Sequence, residues 1–224
     1  SRARTRLSGR IRTAVEQGTP FETITGYAET HGVDLILMGT HDRGDIERVL
    51  LGSVAERVLR TTSVPVLVIP PAAAEADEPG EGGYEDILLP TDGSENADVA
   101  VELGLDLAAV YDATVHTIYS VDTSRFTGIG ETADLYAAIE ETGREALESV
   151  RRRARAADLS VAGTVGRGPA AKVILSHSEE HDIDLIVMGT HGRSGIERYI
   201  IGSVTETVVR NADIPVCCVP MKET

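Results

Sequence analysis

Two short strings in the second half of the chain contain residues whose types and spacing suit phosphate binding. One string is Gly189-Thr-His-Gly192, followed after nine residues by Gly202-Ser203, and the other is Pro90-Thr-Asp-Gly-Ser94. Glycines let the backbone approach a ligand where a Cβ atom would block it. A helix that begins at Ser203 would add free N–H groups and a positive dipole end, which bind anions. The hydroxyls of Ser203 and Thr205 would add donors, and Asp92 would accept from ribose hydroxyls or help to hold a metal on the phosphates.

Several other interpretations of these residues are open. The chain has no G-x-x-x-x-G-K-[ST] string, so the lysine of a Walker loop is missing. A single G-x-x-G is common at strand ends and is weak as a ligand signal by itself. His191 has no visible nucleophile partner, so we interpret it as an orienting or packing residue rather than a catalytic one. Cys217 and Cys218 are adjacent and lack metal-ligand spacing, and we interpret them as small apolar core residues.

The elements that must position these strings alternate between strand and helix from Tyr84 onward. Short apolar or β-branched runs predict strands at 87–90, 114–121, 159–165, 183–188 and 214–219. Helical periodicity predicts helices at 96–110, with Ser94 as N-cap, and at 133–157, 170–181 and 203–211. This alternation predicts an α/β fold with a doubly wound, five-stranded parallel sheet. Ligands of such sheets bind at the carboxyl ends of the strands, which is where both strings fall.

The chain contains two copies of one unit. Residues 15–70 and 165–220 align without a gap, and 25 of the 56 aligned positions are identical. Repetition of this kind indicates two tandem structural copies. Residue 1 aligns with Arg151, so we expect the first copy to be incomplete, without its first two strands and first helix. The predicted domains are a partial first repeat at 1–70, a solvated linker at 71–83 and a complete second domain at 84–224.

The two copies differ at one informative position, where Gly192 of the second copy corresponds to Asp42 of the first. Asp42 would place a carboxylate where a phosphate should approach. Two like charges about 4 Å apart repel by roughly 4 kcal/mol at an effective dielectric near 20. The first copy also has no counterpart of residues 90–94. We therefore predict one site, in the second copy, and interpret Gly39, Gly52 and Ser53 as residues kept for the fold.

Composition excludes several classes of partner. The formal net charge of −15 makes nucleic acid and anionic membranes poor partners. The apolar fraction is 42%, and no apolar run approaches the roughly 18 residues that a membrane span needs. No secretory signal is visible at the beginning of the sequence. We expect a cytoplasmic protein.

Taken together, the strings resemble the universal stress protein family. The resemblance rests on Ile-Val-Met-Gly-Thr-His-Gly-Arg at 186–193, on Gly202-Ser203, which follow Gly192 after nine residues, and on Leu-Leu-Pro-Thr-Asp-Gly-Ser at 88–94. It covers residues 84–220, with 15–70 as a partial unit. G-x-x-G followed after nine residues by G-[ST] is the motif of the ATP-binding branch of that family. The resemblance implies the strand order 3-2-1-4-5.

The resemblance also implies a set of ligand-binding residues, with ATP as the cofactor and Mg or Mn on its phosphates. The base and ribose would lie at Pro90, Thr91, Asp92 and Ser120. The fourth strand would contribute Met188, Gly189, His191 and Gly192, and the triphosphate would lie on Gly202, Ser203, Val204 and Thr205. We expect an ATP-binding regulatory protein with at most slow ATP hydrolysis, because no general base is evident. The alternative is a nucleotide-free scaffold or interaction module of the stress response.

The final strands of the two copies, at 64–69 and 214–219, are apolar and short of protective charges. The resemblance implies that the final strands of two units pair antiparallel across a two-fold axis, as they do in the universal stress protein family. We therefore expect them to join the copies into a pseudo-dimer, within the chain or between chains of a homo-oligomer. The missing strands would also cut the third strand of the first copy off from its fourth. We expect this to leave Ile36, Leu37 and residues 66–69 bare.

Overall fold

The computed structural model describes residues 11–40, 51–75, 83–122, 133–192 and 201–221, and these ranges contain seven strands and seven helices. The strands are β1 Ile36–Gly39, β2 Val66–Ile69, β3 Asp86–Pro90, β4 Thr114–Val121, β5 Val161–Arg167, β6 Leu185–Gly189 and β7 Val216–Val219. The helices are α1 Pro20–His31, α2 Ser53–Thr61, α3 Pro71–Glu75, α4 Glu95–Tyr111, α5 Ala133–Ala156, α6 Ala170–Glu180 and α7 Ser203–Asn211.

All seven strands form one sheet in the order β1-β2-β7-β6-β3-β4-β5. Every neighbouring pair is parallel except β2 and β7, which are antiparallel. Read from β5 to β7, the second copy has the predicted order 3-2-1-4-5, and the α/β class is confirmed. The sheet is continuous across the two copies, because the two strands of the first copy extend it beyond β7, as the predicted pairing of the final strands implies.

The sheet is buried on both faces along its centre, as the apolar runs predict. In β3, Ile87, Leu88 and Leu89 are all fully buried. Because side chains alternate along a strand, Leu88 joins one core cluster and its two neighbours join another. The first cluster includes residues of α1, α2, α6 and α7, and the second includes residues of α4 and α5. The helices therefore form a layer on each face of the sheet.

The two copies meet where β2 pairs with β7. The register places Val66 opposite Cys218, Leu67 opposite Cys217 and Val68 opposite Val216. Burial raises the pKa of the Cys217 thiol to about 12 and raises that of Cys218 as well, so both thiols stay protonated in the folded protein. The predicted pairing of the final strands is thus present within the chain. A further pairing between chains stays a prediction.

The first copy covers more of its apolar surface than we expected. Ile36, Val66 and Val68 are buried in the cluster that α1 and α2 complete, so the expectation that they are bare is wrong. Leu37 points to the other face of β1 and is 66% exposed, as expected. On that face, no described helix of the first copy takes the place that α4 has in the second. The third strand of this copy does not form, since residues 11–17 have no regular structure and Val15 is 98% exposed.

Most element boundaries lie within one or two residues of their predicted positions. Ser94 caps α4, with its Oγ accepting from the N–H of Ala97 at 3.2 Å, as predicted. Within the predicted linker at 71–83, Pro71–Glu75 form the short helix α3, in which residues 71, 72 and 74 are exposed. Residues 76–82 lie outside the described residues, and the boundaries at 70 and 84 stay predictions. None of the described helices is long and apolar enough to cross a membrane.

Two glycines inside helices allow a matched stability test of this packing. A Cβ atom on Gly104 would lie 2.2 Å from Cδ2 of the buried Leu89, whereas one on Gly26 would meet nothing within 4 Å. Alanine gains about 0.5–1 kcal/mol over glycine in a helix at either position. Crowding a packed core costs about 1–3 kcal/mol. We expect Gly26→Ala to stabilise the protein and Gly104→Ala to be less stable than it by about 1–3 kcal/mol, measured by urea unfolding. Equal free energies for the two variants would contradict this packing.

Candidate functional site

The two glycine-containing strings follow β3 and β6, which are neighbours in the sheet. After β3 the chain crosses to β4 on one side, and after β6 it crosses to β7 on the other. This reversal is the topological switch point, where open parallel sheets form a crevice at the carboxyl ends of the strands. The sequence therefore brings the two predicted halves of the site to the same place.

The turn after β3 is fixed by its own side chains. The N–H of Thr91 donates to the carbonyl of Ile118 on β4 at 2.9 Å. The Thr91 hydroxyl accepts from the N–H of Gly93 at 3.1 Å, and Asp92 Oδ1 accepts from the N–H of Ser94 at 3.0 Å. Gly93 has a φ of 75°, a conformation that favours glycine. These bonds hold the half-buried Asp92 carboxylate in a set position before α4 begins.

The end of β6 lies against the first turn of α4. A Cβ atom on Gly189 would lie 3.1 Å from the carbonyl oxygen of Asn96, which is tighter than an ordinary contact. The close approach of two backbone segments therefore favours glycine here. The next side chain, Thr190, is buried, and its Oγ1 lies 2.9 Å from Nδ1 of His191. This contact supports the orienting role predicted for His191.

Gly192 brings the two strings together. A Cβ atom on Gly192 would lie 2.8 Å from Oδ2 of Asp92, so the carboxylate occupies the space that a side chain would need. Any substitution here must displace Asp92, and an aspartate would also set two carboxylates against each other. Asp42, the counterpart in the first copy, lies outside the described residues. Its effect on that copy stays a prediction.

The start of α7 is tied to the end of β6. The N–H of Gly202 donates to the carbonyl of Thr190 at 2.7 Å, and the helical bonds begin with Glu206 N–H donating to Gly202 at 2.9 Å. The N–H groups of Ser203, Val204 and Thr205 precede that bond and belong to the first helical turn. The side chain of Ser203 is exposed, and that of Val204 is half-buried. The helix thus presents its positive end beside the Gly189–Gly192 turn.

Two hydroxyls expected at the ligand are used within the protein. Thr205 is 3% exposed, and its Oγ1 donates to the carbonyl of Gly189 at 2.8 Å. Ser120 lies two residues beyond the partner of Pro90 on β4, and its Oγ donates to the carbonyl of Gly168 at 2.6 Å. The hydroxyl protons of both residues therefore fix loops. What Thr205 offers a ligand is its backbone N–H, and what Ser120 offers is an oxygen lone pair.

The remaining predicted residues lie in the ends of the strands. Pro90 ends β3 and Met188 precedes the last residue of β6, and both are buried. Sequence reasoning missed Thr190 and Asn96, which connect β6 to α7 and to α4. The repeat held a signal for Thr190, because the Gly-Thr-His string occurs in both copies. Asn96 enters through its carbonyl oxygen, which any residue type would supply, so the sequence contains no signal for it.

A pair of threonines on α7 tests the role of the Thr205 hydroxyl. Thr205→Val leaves the Gly189 carbonyl without its buried donor, which costs about 1–3 kcal/mol. Thr207 makes a bond of the same kind to the Ser203 carbonyl, at 2.7 Å, but is exposed. Water replaces that bond in Thr207→Val, so we expect a change within about 0.5 kcal/mol. Urea unfolding of both variants measures the difference. Similar losses would show that the Gly189 turn does not depend on Thr205.

Comparison with known proteins gives a consistent result. The chain matches the universal stress protein family over residues 3–70 and 83–220. A universal stress protein of Methanocaldococcus jannaschii is 38% identical over 149 residues, which cover 64% of this chain and 88% of that protein. One of Mycolicibacterium smegmatis is 29% identical over 188 residues, which cover 83% of this chain but only 61% of that relative.

Solved structures agree with the fold. A universal stress protein from Archaeoglobus fulgidus superposes with a TM-score of 0.61 at 25% identity, covering 90% of this chain and 65% of that one. A family member from Burkholderia pseudomallei superposes with a TM-score of 0.54 at 31% identity, and the match covers 64% of this chain and 100% of that one. The family match spans both copies and includes the strings that meet at the switch point. This chain belongs to the universal stress protein family.

Proposed function

We propose that the protein is an ATP-binding regulatory member of its family, with one nucleotide site in the second copy. The observation that carries this proposal is the convergence at Gly192. There, the carboxylate of Asp92 from the β3 turn fills the space beside the glycine turn that follows β6. The first turn of α7 is tied to the same β6 turn through Thr190. A ribose-binding acid and a phosphate-binding helix end are thereby held within one crevice.

The phosphate side of this site would rely on backbone groups. The N–H groups of Ser203, Val204 and Thr205 carry the partial positive charge of the α7 dipole, which stabilises bound anions. Gly189 and Gly192 present no Cβ atom at the two ends of the adjoining turn, and the N–H of Gly202 anchors the helix start to it. The Ser203 hydroxyl is exposed and is free to turn toward a phosphate oxygen. Such a site fits an anion that is bound by N–H groups rather than by a lysine.

The nucleoside side would lie on the β3 and β4 ends. The Oδ2 of Asp92 faces Gly192, and a carboxylate oxygen in this position accepts hydrogen bonds from ribose hydroxyls. The Ser120 oxygen and the Thr91 turn lie at the neighbouring strand ends. Among the described residues, no group of three or more His, Cys, Asp or Glu side chains is arranged to hold a metal ion. In this proposal a magnesium or manganese ion would bind the phosphates, with Asp92 as a carboxylate ligand and water as further ligands.

The described residues of the site favour retention of ATP over its turnover. Asp92 Oδ1 is held by the N–H of Ser94, and Nδ1 of His191 is held by Thr190. Among the described residues of the site, these are the two side chains that could accept a proton from water, and each is engaged in a structural contact through one of its two acceptor atoms. A general base must reach the attacking water in a reactive geometry. We infer that the regulatory signal is the presence of ATP in the site rather than its hydrolysis.

One observation favours the alternative of an interaction module that binds no nucleotide. Leu35 and Leu37 are 44% and 66% exposed beside the outer edge of β1. Exposed apolar surface next to a strand edge is a common protein-binding feature. This surface belongs to the first copy, so it is compatible with a nucleotide site in the second. Nucleotide that copurifies with the protein would separate the two proposals.

The stoichiometry and the role of Gly192 are tested together by titration calorimetry with Mg-ATP. We expect saturation near one equivalent per chain. Gly192→Asp should weaken binding at least tenfold, or about 1.4 kcal/mol, because its side chain displaces Asp92 and adds a charge that repels phosphate. Gly26→Asp is the matched control, since a Cβ there meets nothing within 4 Å and the residue lies in α1. Two equivalents, or equal binding by both variants, would refute this assignment.

Hydrolysis is tested on the purified protein with saturating Mg-ATP. We expect turnover far below the value of about 10 per second that is typical of enzymes, because the candidate bases are held in structural contacts. Phosphate release is measured beside the Gly192→Asp variant, which controls for contaminating ATPases. A turnover near the typical value that is lost in the variant would show that the site contains a catalytic group we have not identified.

A further inference from the structure

Three of the six histidines of the chain lie together near the start of β4, away from the carboxyl ends of the strands. His177 in α6 and His181 after it are stacked, with ring centroids 3.9 Å apart and planes at 21°. His116 in β4 lies edge-on to both, with centroids 5.7 Å away in each case. His116 and His177 are 9% and 6% exposed. We call these three residues the histidine cluster.

The hydrogen bonds of the histidine cluster leave two buried ring nitrogens unsatisfied. Nε2 of His116 lies 2.8 Å from Oδ1 of Asp86, and Nδ1 of His181 lies 3.1 Å from the carbonyl of His177. Nδ1 of His116 and Nε2 of His177 have no partner among the described residues. A neutral imidazole tolerates a lone pair without a donor, but an imidazolium needs an acceptor for each N–H. The histidine cluster therefore accommodates a neutral His177 ring better than a protonated one.

Protonation of His177 is opposed by its surroundings. Burial, then the nearby His181 and His116, lower the pKa of His177 to about 4. The acid in the neighbourhood, Asp86, is bonded to His116 rather than to His177. A proton on His177 would thus place a charge in the core, where Nε2 of its ring has no hydrogen-bond partner among the described residues.

The charged groups on the other elements around α6 do not offset this effect. Arg167 of β5 pairs with Glu140 at 2.6 Å. On α7, Glu206 and Arg210 pair with each other at 2.8 Å, and Arg210 also lies 3.7 Å from Glu56. Asp184, which follows the cluster, accepts from the N–H groups of Glu85 and Asp86. None of these described contacts reaches His177.

We propose that the histidine cluster is an acid-sensitive latch, which holds α6 against β4 near neutral pH and releases it when His177 takes up a proton. Helix α6 is attached to β4 at both ends. The histidine cluster holds its carboxyl end, and the bond from Ser120 to Gly168 holds the loop before its amino end. Between them, Ile174 packs into the core. Charging the cluster removes the first attachment and leaves the second, so the carboxyl half of α6 is the part that detaches.

The direction of the effect follows from the depressed pKa. Because the folded-state pKa of His177 is about 4 and the ordinary value is about 6.5, the unfolded or detached form binds more protons between these limits. The stabilising contribution of the neutral ring is complete above about pH 6.5 and is lost as the pH falls toward 4. A one-proton difference changes the folding equilibrium constant about tenfold per pH unit.

The latch is tested by urea unfolding of the full chain in steps from pH 7.5 to 4.5. His177→Phe keeps an aromatic ring in the stack but cannot titrate, and His177→Asn serves if the first variant does not fold. His31→Phe is the control, because His31 is exposed and stacks on Tyr27 in α1. Relative to either His177 variant, the wild type and the control should lose about a further fortyfold in folding constant between pH 6.5 and 4.5.

A second measurement distinguishes release of α6 from uniform loss of stability. Amide hydrogen exchange, corrected for the intrinsic effect of pH, should show protection falling in 174–180 before α4 and α7. Equal pH dependence of the wild type and the His177 variants would overturn the proposal. So would protection lost evenly from all three helices, or a histidine-dependent stabilisation by added zinc, which would assign the cluster to a metal instead.

Discussion

The antiparallel contact between β2 and β7 is the interaction on which the arrangement of the two copies depends. Both strands are apolar, and each would otherwise be an open edge that invites aggregation. Their pairing buries Val66, Val68 and Cys218 in a core that extends from the first copy to the second. It also places the end of α2 beside the β6 turn. A cleft there is lined by Glu29 and residues 59–63 of the first copy and by Thr190, His191, Pro220 and Met221 of the second.

The candidate site depends on how closely backbone segments approach at the switch point. Gly189 leaves room for the Asn96 carbonyl, and Gly192 leaves room for the Asp92 carboxylate. Each glycine is thus explained by one close neighbour and not by backbone flexibility. The side chains of Thr190 and Thr205 then fix the positions of these turns. A nucleotide would meet turns that are already ordered by internal bonds, which lowers the entropy lost on binding.

The sequence predicted those features that depend on local pattern. Apolar runs alternating with helical periodicity predicted the sheet, and the repeat predicted which strands are equivalent. Contacts between residues far apart in the sequence could not be predicted from local pattern. His177 and His181 are recognisable as an i, i+4 pair, but His116 is 61 positions earlier than His177, and only the register of β4 beside α6 brings it to them. The roles of hydroxyls were hidden for the same reason, because the partner of Thr205 is the carbonyl of Gly189 in another element.

Strand β4 connects two regions with different chemistry. His116, near its start, belongs to the histidine cluster, and Ser120, near its end, belongs to the candidate nucleotide site and holds the loop before α6. Because α6 contacts both, the two regions would be coupled to the extent that release of its carboxyl half also loosens the bond from Ser120 to Gly168. Binding equilibria that share such an element are reciprocal. Nucleotide that stabilises the Ser120 end would therefore oppose proton uptake at His177, and proton uptake would weaken nucleotide binding by the same factor.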